Sequence, residues 1–266
     1  MALRLAILAL IGVGCGVAAA DEVPLPRPRP PAWFEPRSFA EAAGPAFDSA
    51  SVTAEPTDCD RRLAAIATFA PMPRLIGPDQ CGGGDVVELD AVLLADNARV
   101  DIKPAPVLRC AMAEQFAAWL REDASQRLAA LGSNLRAVEN FDDFECRSRN
   151  RLLGARLSEH GKANAVDVRA FVLADGRVIE PTDLTVAKDV RETLRESACQ
   201  RFTTVLGPGA DGHHEAHIHL DLAERPHGYR ICEWDVREPA SNIAQVPLPV
   251  PRPPIPELAV NGVQKL

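Results

Sequence analysis

The chain has 266 residues, with 29 Lys or Arg against 37 Asp or Glu for a formal net charge of −8, 47% hydrophobic residues and 23 prolines. That acidic balance excludes nucleic acid as a natural partner, because binding a phosphate backbone needs concentrated cationic surface. The apolar content suffices for one real core, while nine Phe, three Trp and one Tyr beside so many prolines place part of the length outside it.

Residues 1–20, MALRLAILALIGVGCGVAAA, carry one positive charge at Arg4 and no acid before a short aliphatic run ending in Ala18-Ala19-Ala20. This is the pattern of a secretory signal peptide, too short and Gly-rich for a stable membrane span. Cleavage there removes Cys15 and leaves Cys59, Cys81, Cys110, Cys146, Cys199 and Cys232. An even number in an exported chain predicts three disulfides, and the shortest closures would pair Cys59 with Cys81, Cys110 with Cys146 and Cys199 with Cys232. No Cys-x2-Cys pair offers a structural thiolate site instead.

PLPRPRPP at 24–31 and PLPVPRPPIP at 247–256 lack most backbone donors and favour extended polyproline conformation. They assign residues 21–57 to a Pro-rich N-terminal linker and 237–266 to a Pro-rich tail around a folded domain at 58–236. Within it, APVLRCAMAEQFAAWLREDASQRLAALG at 105–132 repeats at three-to-four spacing, predicting a long helix with a break near Glu122-Asp123 and an end at Gly132. LRAVEN at 135–140 and AVDVRAFVLADGRVI at 165–179 read as strands, the second folded into a hairpin by Ala174-Asp175-Gly176-Arg177. AKDVRETLRESACQRF at 187–202 returns to helical spacing, and HIHLDL at 217–222 alternates as a strand. The predicted class is α+β, a small antiparallel sheet with helices packed against it.

The six histidines stand at 160, 213, 214, 217, 219 and 227, five of them within a 15-residue stretch. His217 and His219, one residue apart in a strand, leave the same face while Ile218 points to the core. Upstream, His160 sits in a Gly-containing loop and Asp167 lies between Val166 and Val168, where a buried carboxylate needs a cation or hydrogen bonds. His160, Asp167 and one of the later pair therefore offer three ligands with a position left for water, the arrangement of a catalytic zinc. His213 and His214 read as a polar turn after Gly-Pro-Gly-Ala-Asp-Gly.

SEHGKANAVD at 158–167 followed by HEAHIHLDL at 214–222 resembles the zinc-site pair of the superfamily that contains lysostaphin, D-alanyl-D-alanine metallopeptidases and hedgehog signalling domains. The chain is most similar to the bacterial extensin-like C-terminal domain, over roughly Cys59 to Asp235. The resemblance implies a small α+β fold carrying a zinc site, with Zn2+ held by His160, Asp167 and His219 and with His217 acting beside the metal. Related loops generally have Gly three residues after the first His, where this chain has Ala163 and places its Gly at 161.

Zinc in a His2Asp site polarises a carbonyl and acidifies a bound water, so the expected reaction is peptide-bond hydrolysis. His217 is the preferred base or transition-state donor, with Glu215 its rival if the strand reaches that far. Arg147, Arg149, Arg151 and Arg156 form a local basic cluster, from which Arg147 would steady an oxyanion and Arg149 a substrate carboxylate. Ser158 would bind substrate or organise the loop, and Asp221 would orient an imidazole from behind. Export and the resemblance point to peptidoglycan stem or crosslink peptides as partners, cut by a D,D-endopeptidase or D,D-carboxypeptidase in a bacterial cell envelope, secreted or periplasmic. A zinc-stabilised module that binds wall peptides without cutting them and a metal-free disulfide-rich domain are the competing classes.

Overall fold

A computed structural model describes residues 46–48 and 55–238. Residues 1–20, read as a signal peptide, and nearly all of both Pro-rich segments lie outside the described residues. Among the described residues, thirteen strands and four α-helices run in chain order: β1 (Ala46–Asp48), α1 (Asp58–Ala64), β2 (Ala67–Met72), β3 (Arg74–Ile76), β4 (Gly82–Gly83), β5 (Val86–Leu93), β6 (Arg99–Lys103), β7 (Val107–Arg109), α2 (Cys110–Trp119), α3 (Ser125–Ala129), β8 (Leu135–Asp142), β9 (Ala165–Leu173), β10 (Val178–Ile179), α4 (Lys188–Arg201), β11 (Thr204–Leu206), β12 (Ile218–Asp221) and β13 (Ile231–Glu233).

The sheet overturns the expectation of a small antiparallel one. Ten strands join it, in the order β13-β11-β12-β9-β8-β6-β5-β2 with β10 beside β9 and β7 beside β5. It is mixed: β6 runs parallel to β8 and β11 parallel to β13. A separate antiparallel sheet of three strands holds β1, β3 and β4. What the large sheet carries is a cluster able to ligate a metal, which is less than the zinc site expected of it.

α2 passes through a π-helical turn at Leu120–Ala124 into α3, so the break expected near Glu122-Asp123 is a local widening of one continuous rod. The rod starts at Cys110 rather than 105. Pro104 and Pro106 cannot donate, and Val107–Arg109 pairs with β5 instead. α1 is closed by a capping box, Asp60 N–H donating to Thr57 Oγ1 at 3.1 Å and Thr57 N–H to Asp60 Oδ2 at 2.8 Å.

One apolar cluster takes Leu63 from α1, Phe116 and Trp119 from α2, Leu194 from α4, and Leu89, Val138, Phe171 and Ile218 from the sheet. Trp119 sits among Phe171 and Phe202 at centroid distances of 6.1 and 5.8 Å, both edge-on, and donates its indole N–H to Ser197 Oγ at 3.0 Å. Among the described residues no helix is long and apolar enough to cross a membrane.

All six cysteines among the described residues are bridged, but two pairings differ from the shortest closures: Cys59 joins Cys110 and Cys81 joins Cys146, while Cys199 joins Cys232 as expected. α1 and α2 lie together, as the Arg62–Glu114 ion pair at 2.6 Å also shows, so Cys59 meets the start of α2 and not its nearest neighbour in sequence. Beyond β8 a loop closes at the Ser148–Leu157 bridge and leaves Leu152 and Leu153 in solvent.

Candidate metal centre

β9 and β12 build the site. They pair antiparallel with His219 directly opposite Asp167, while Val166, Val168, Ile218 and Leu220 on the other face belong to the core. Two irregularities next to this pair aim the side chains. In the β8–β9 ladder Asn140 pairs with Val168 and Glu139 with Ala170, which leaves Arg169 as an extra residue and reverses the phase of β9. Asp167 thus faces the site on one side of the bulge and Phe171 faces the core on the other. A second shift bulges Phe141 out of β8, where its half-exposed ring stacks on His217 at 4.6 Å.

His160 comes from the turn before β9. Its backbone N–H donates to Ser158 Oγ at 3.3 Å, so Ser158 organises this loop. Gly161 packs closely: a Cβ there would lie 2.6 Å from Leu157 Cδ1, and that side chain would have to shift. Ala163 adopts the left-handed conformation at φ 52, donates its N–H to His160 O at 2.9 Å and accepts from Arg109 N–H at 2.7 Å. The backbone turn that glycine would favour is therefore present with alanine in it, at a cost of about 1 kcal/mol.

Three donor atoms converge. His160 Nε2 lies 3.1 Å from His219 Nδ1 and 3.3 Å from Asp167 Oδ1, and His219 Nδ1 lies 2.9 Å from the same carboxylate oxygen. The edge of a tetrahedron with bonds of about 2.0–2.1 Å is about 3.3 Å, so the triangle matches a small divalent ion. The outer nitrogens are already engaged: His160 Nδ1 bonds Asp143 O at 2.6 Å and His219 Nε2 bonds Asp221 Oδ2 at 3.0 Å. Each of these partners accepts a ring N–H, which leaves the opposite nitrogen's lone pair aimed into the triangle. Two lone pairs and a carboxylate oxygen facing one another inside a buried site need either a proton or a metal ion between them.

The charges agree with that need. Burial alone would make Asp167 a neutral acid, but hydrogen bonds to His160, His217 and His219 hold it well below the usual carboxylate range. Burial alone would lower His219, yet Asp167 on one ring nitrogen and Asp221 on the other raise it to about 10. A proton held between two carboxylates marks the place where a metal ion would compete for the same ligands.

The other expected residues fall in different places. His217 Nε2 reaches Asp167 Oδ2 at 3.3 Å, beside the triangle. Glu215 does not reach it: β12 begins at Ile218, and the exposed Glu215 side chain turns back to accept Gly209 N–H at 2.9 Å. Arg147 lines the adjoining cavity of about 250 Å³ but is paired with Asp142 at 2.8 Å and Glu145 at 3.1 Å. Arg149 lines the same cavity.

His214 corrects the reading of a mere polar turn. Its exposed neighbour His213 fits that description, but His214 is buried, with its ring 5.2 Å from His217 and 5.6 Å from His219. Asp211 Oδ1 holds His214 Nδ1 at 2.7 Å and Asn150 Nδ2 holds Asp211 Oδ2 at 3.1 Å. Burial keeps His214 below its ordinary pKa although Asp211 pulls the other way. The Asp-x-x-His spacing inside DGHH was the available signal.

The model of the family described as Extensin-like protein C-terminus matches residues 57–233. No curated protein and no solved structure matches the chain. A match over that span, carrying the buried His160, Asp167 and His219 cluster and all three disulfides, makes this chain a member of the extensin-like protein C-terminus family.

Proposed function

We propose that the chain is an exported zinc-dependent peptidase that cuts peptide bonds in bacterial peptidoglycan, of D,D-endopeptidase or D,D-carboxypeptidase type. The observation that carries it is the triangle of His160 Nε2, His219 Nδ1 and Asp167 Oδ1, no edge longer than 3.3 Å, with two further imidazoles against it and a cavity alongside. The resemblance of SEHGKANAVD and HEAHIHLDL to the lysostaphin and D-alanyl-D-alanine metallopeptidase superfamily supports the reaction class, and the signal-peptide pattern and three disulfides support an oxidising envelope compartment.

His160, Asp167 and His219 would hold the metal. Zinc in such a site supplies a Lewis acid that polarises a carbonyl and lowers the pKa of water. The chain's own residues then handle protons and charge. Hydrolysis needs one proton removed from the attacking water and one delivered to the leaving amine. His217 presents Nε2 beside Asp167, and His214, anchored through Nδ1 by Asp211, keeps Nε2 free to accept. Arg147 stays fixed at the cavity wall by two carboxylates and offers its remaining N–H groups to a developing oxyanion.

Metal analysis coupled to peptide release from purified peptidoglycan tests this reading. The mature protein should hold one zinc, and H160A, D167A and H219A should each lower occupancy. H217A should keep its zinc while losing about 100-fold in rate, the range of general acid-base work. The same two-His, one-carboxylate set also suits ferrous iron, so iron is measured alongside. A fully zinc-loaded wild type that releases no peptide from walls of several crosslink types would refute hydrolysis in favour of a wall-peptide binding module.

A further inference from the structure

Most arginines among the described residues are engaged. Arg62, Arg99, Arg147, Arg151, Arg177 and Arg201 meet carboxylates, and Arg191 and Arg230 end on backbone carbonyls. Arg149 and Arg156 differ: among the described residues neither guanidinium has a hydrogen bond or an ion pair. Their backbones are nevertheless tied, Arg149 N–H donating to Arg156 O at 2.9 Å, so both side chains leave one short loop segment.

Both line a groove of about 500 Å³ together with Lys162, Arg225 and Tyr229. Arg225 is held in place, Nη1 donating to Thr203 O at 3.1 Å and Nη2 to Thr204 Oγ1 at 2.6 Å. Two acids reach the groove. Glu159 is buried and spent, accepting from Lys162 Nζ at 2.6 Å and Asn164 Nδ2 at 2.7 Å, which leaves the exposed Glu224 against three arginines. Arg149, Glu159 and Arg225 also line the cavity beside the candidate metal ligands, so the two spaces adjoin.

Unpaired guanidiniums sharing a groove repel one another, and a chain with a net charge of −8 has acids to spare for neutralising them. A free Arg fork presents parallel N–H groups matched to the two oxygens of a carboxylate. We propose that this groove binds a free carboxylate of the substrate peptide while the bond to be cut lies in the metal cavity, so that the substrate class is an anionic peptide. The identity of the ligand rests on the peptidase reading; the anion site itself rests on the arginines.

Soluble peptides released from purified peptidoglycan, and the same pool with its carboxylates converted to primary amides, separate the two. Binding is measured by calorimetry on the full mature chain, both metal-loaded and metal-stripped. The acid pool should bind at least about tenfold tighter than the amidated pool in both states, the effect of one charge-assisted hydrogen bond or more. R149Q and R156Q should each erase most of that preference and leave binding of the amidated pool unchanged, with R156K retaining part of it. R136Q, an exposed arginine on β8 outside the groove, should change nothing. Equal binding of both pools by wild type, or an acid preference that survives R149Q and R156Q, overturns the proposal. Acid-selective binding without peptide cleavage keeps the groove and refutes the peptidase, whereas cleavage of both pools at equal rates keeps the peptidase and refutes the groove.

Discussion

The two faces of the β9–β12 pair obey opposite rules although they share one backbone. On the helix side, Val166, Val168, Ile218 and Leu220 need only be apolar and of fitting volume, because burial is non-directional and roughly proportional to area. On the other side, Asp167 and His219 sit across from each other with their donor atoms 2.9 Å apart, and what counts is charge, tautomer and position within tenths of an ångström. A core position therefore penalises lost volume, and a ligand position penalises lost charge. The contrast teaches that a buried residue on this sheet cannot be ranked by exposure, since Asp167 at 3% is as enclosed as the valines beside it.

The sharpest way to break the contrast is D167N, which keeps the volume and removes the charge. Zinc affinity should fall by about a thousandfold or more, while the metal-free variant still unfolds cooperatively. Calorimetric titration with zinc checks it, and wild-type affinity in the variant would mean that Asp167 is not a ligand. F171A is the opposite experiment on the same strand. It removes a fully buried ring against Trp119 and should cost about 3–5 kcal/mol in denaturant unfolding while leaving one metal per chain. A changed stoichiometry would show that the two faces are coupled through the bulge at Arg169.

D221N sharpens the comparison one layer out. Asp221 meets His219 at its far nitrogen alone, at 3.0 Å, and accepts Ala223 N–H at 2.9 Å with its other oxygen, so its loss should weaken metal binding by about 10–100-fold without abolishing it. The smallest effect belongs to A163G. Glycine relieves the left-handed backbone, but the lost methyl leaves the small cluster of Leu75 and Val86, so the two contributions oppose and thermal unfolding should shift stability by less than about 1 kcal/mol. A larger loss would make the methyl contact, and not the backbone turn, the reason for alanine at this position.

Legibility from sequence followed the same division. The rod from Cys110, α4 and the β9–β10 hairpin announce themselves through local periodicity and a turn, and the His-Asp spacing does the same for the candidate ligands. β3, β4 and β7 have three residues or fewer and exist because a partner strand lies alongside, so no local preference marks them. β5 is buried on parts of both faces, which blurs the alternation a strand is read by, and this hid the size of the sheet. Glu215 lies farther from the cluster and His214 closer to it than the sequence suggests, for a related reason. Alternation projected back from His219 favoured Glu215, but the strand stops at Ile218, and the chain before it follows Asp211 and Asn150 across the fold. The crossed disulfides were likewise decided by the docking of α1 on α2, a distance that chain separation does not encode.

Those bridges divide the polypeptide into two covalent halves. Cys59–Cys110 and Cys81–Cys146 both close before the Ser148–Leu157 loop, Cys199–Cys232 closes after it, and no bridge spans it. Leu153 at the tip is fully exposed, a natural site for a protease. A single cut there would release two chains even without reductant, one with two bridges and no ligand, the other with His160, Asp167 and His219. They would stay together through non-covalent contacts alone, chiefly β8–β9 pairing and the shared core, so metal retention by the nicked protein should become dependent on dilution, as in a heterodimer whose subunits must find each other before either is complete.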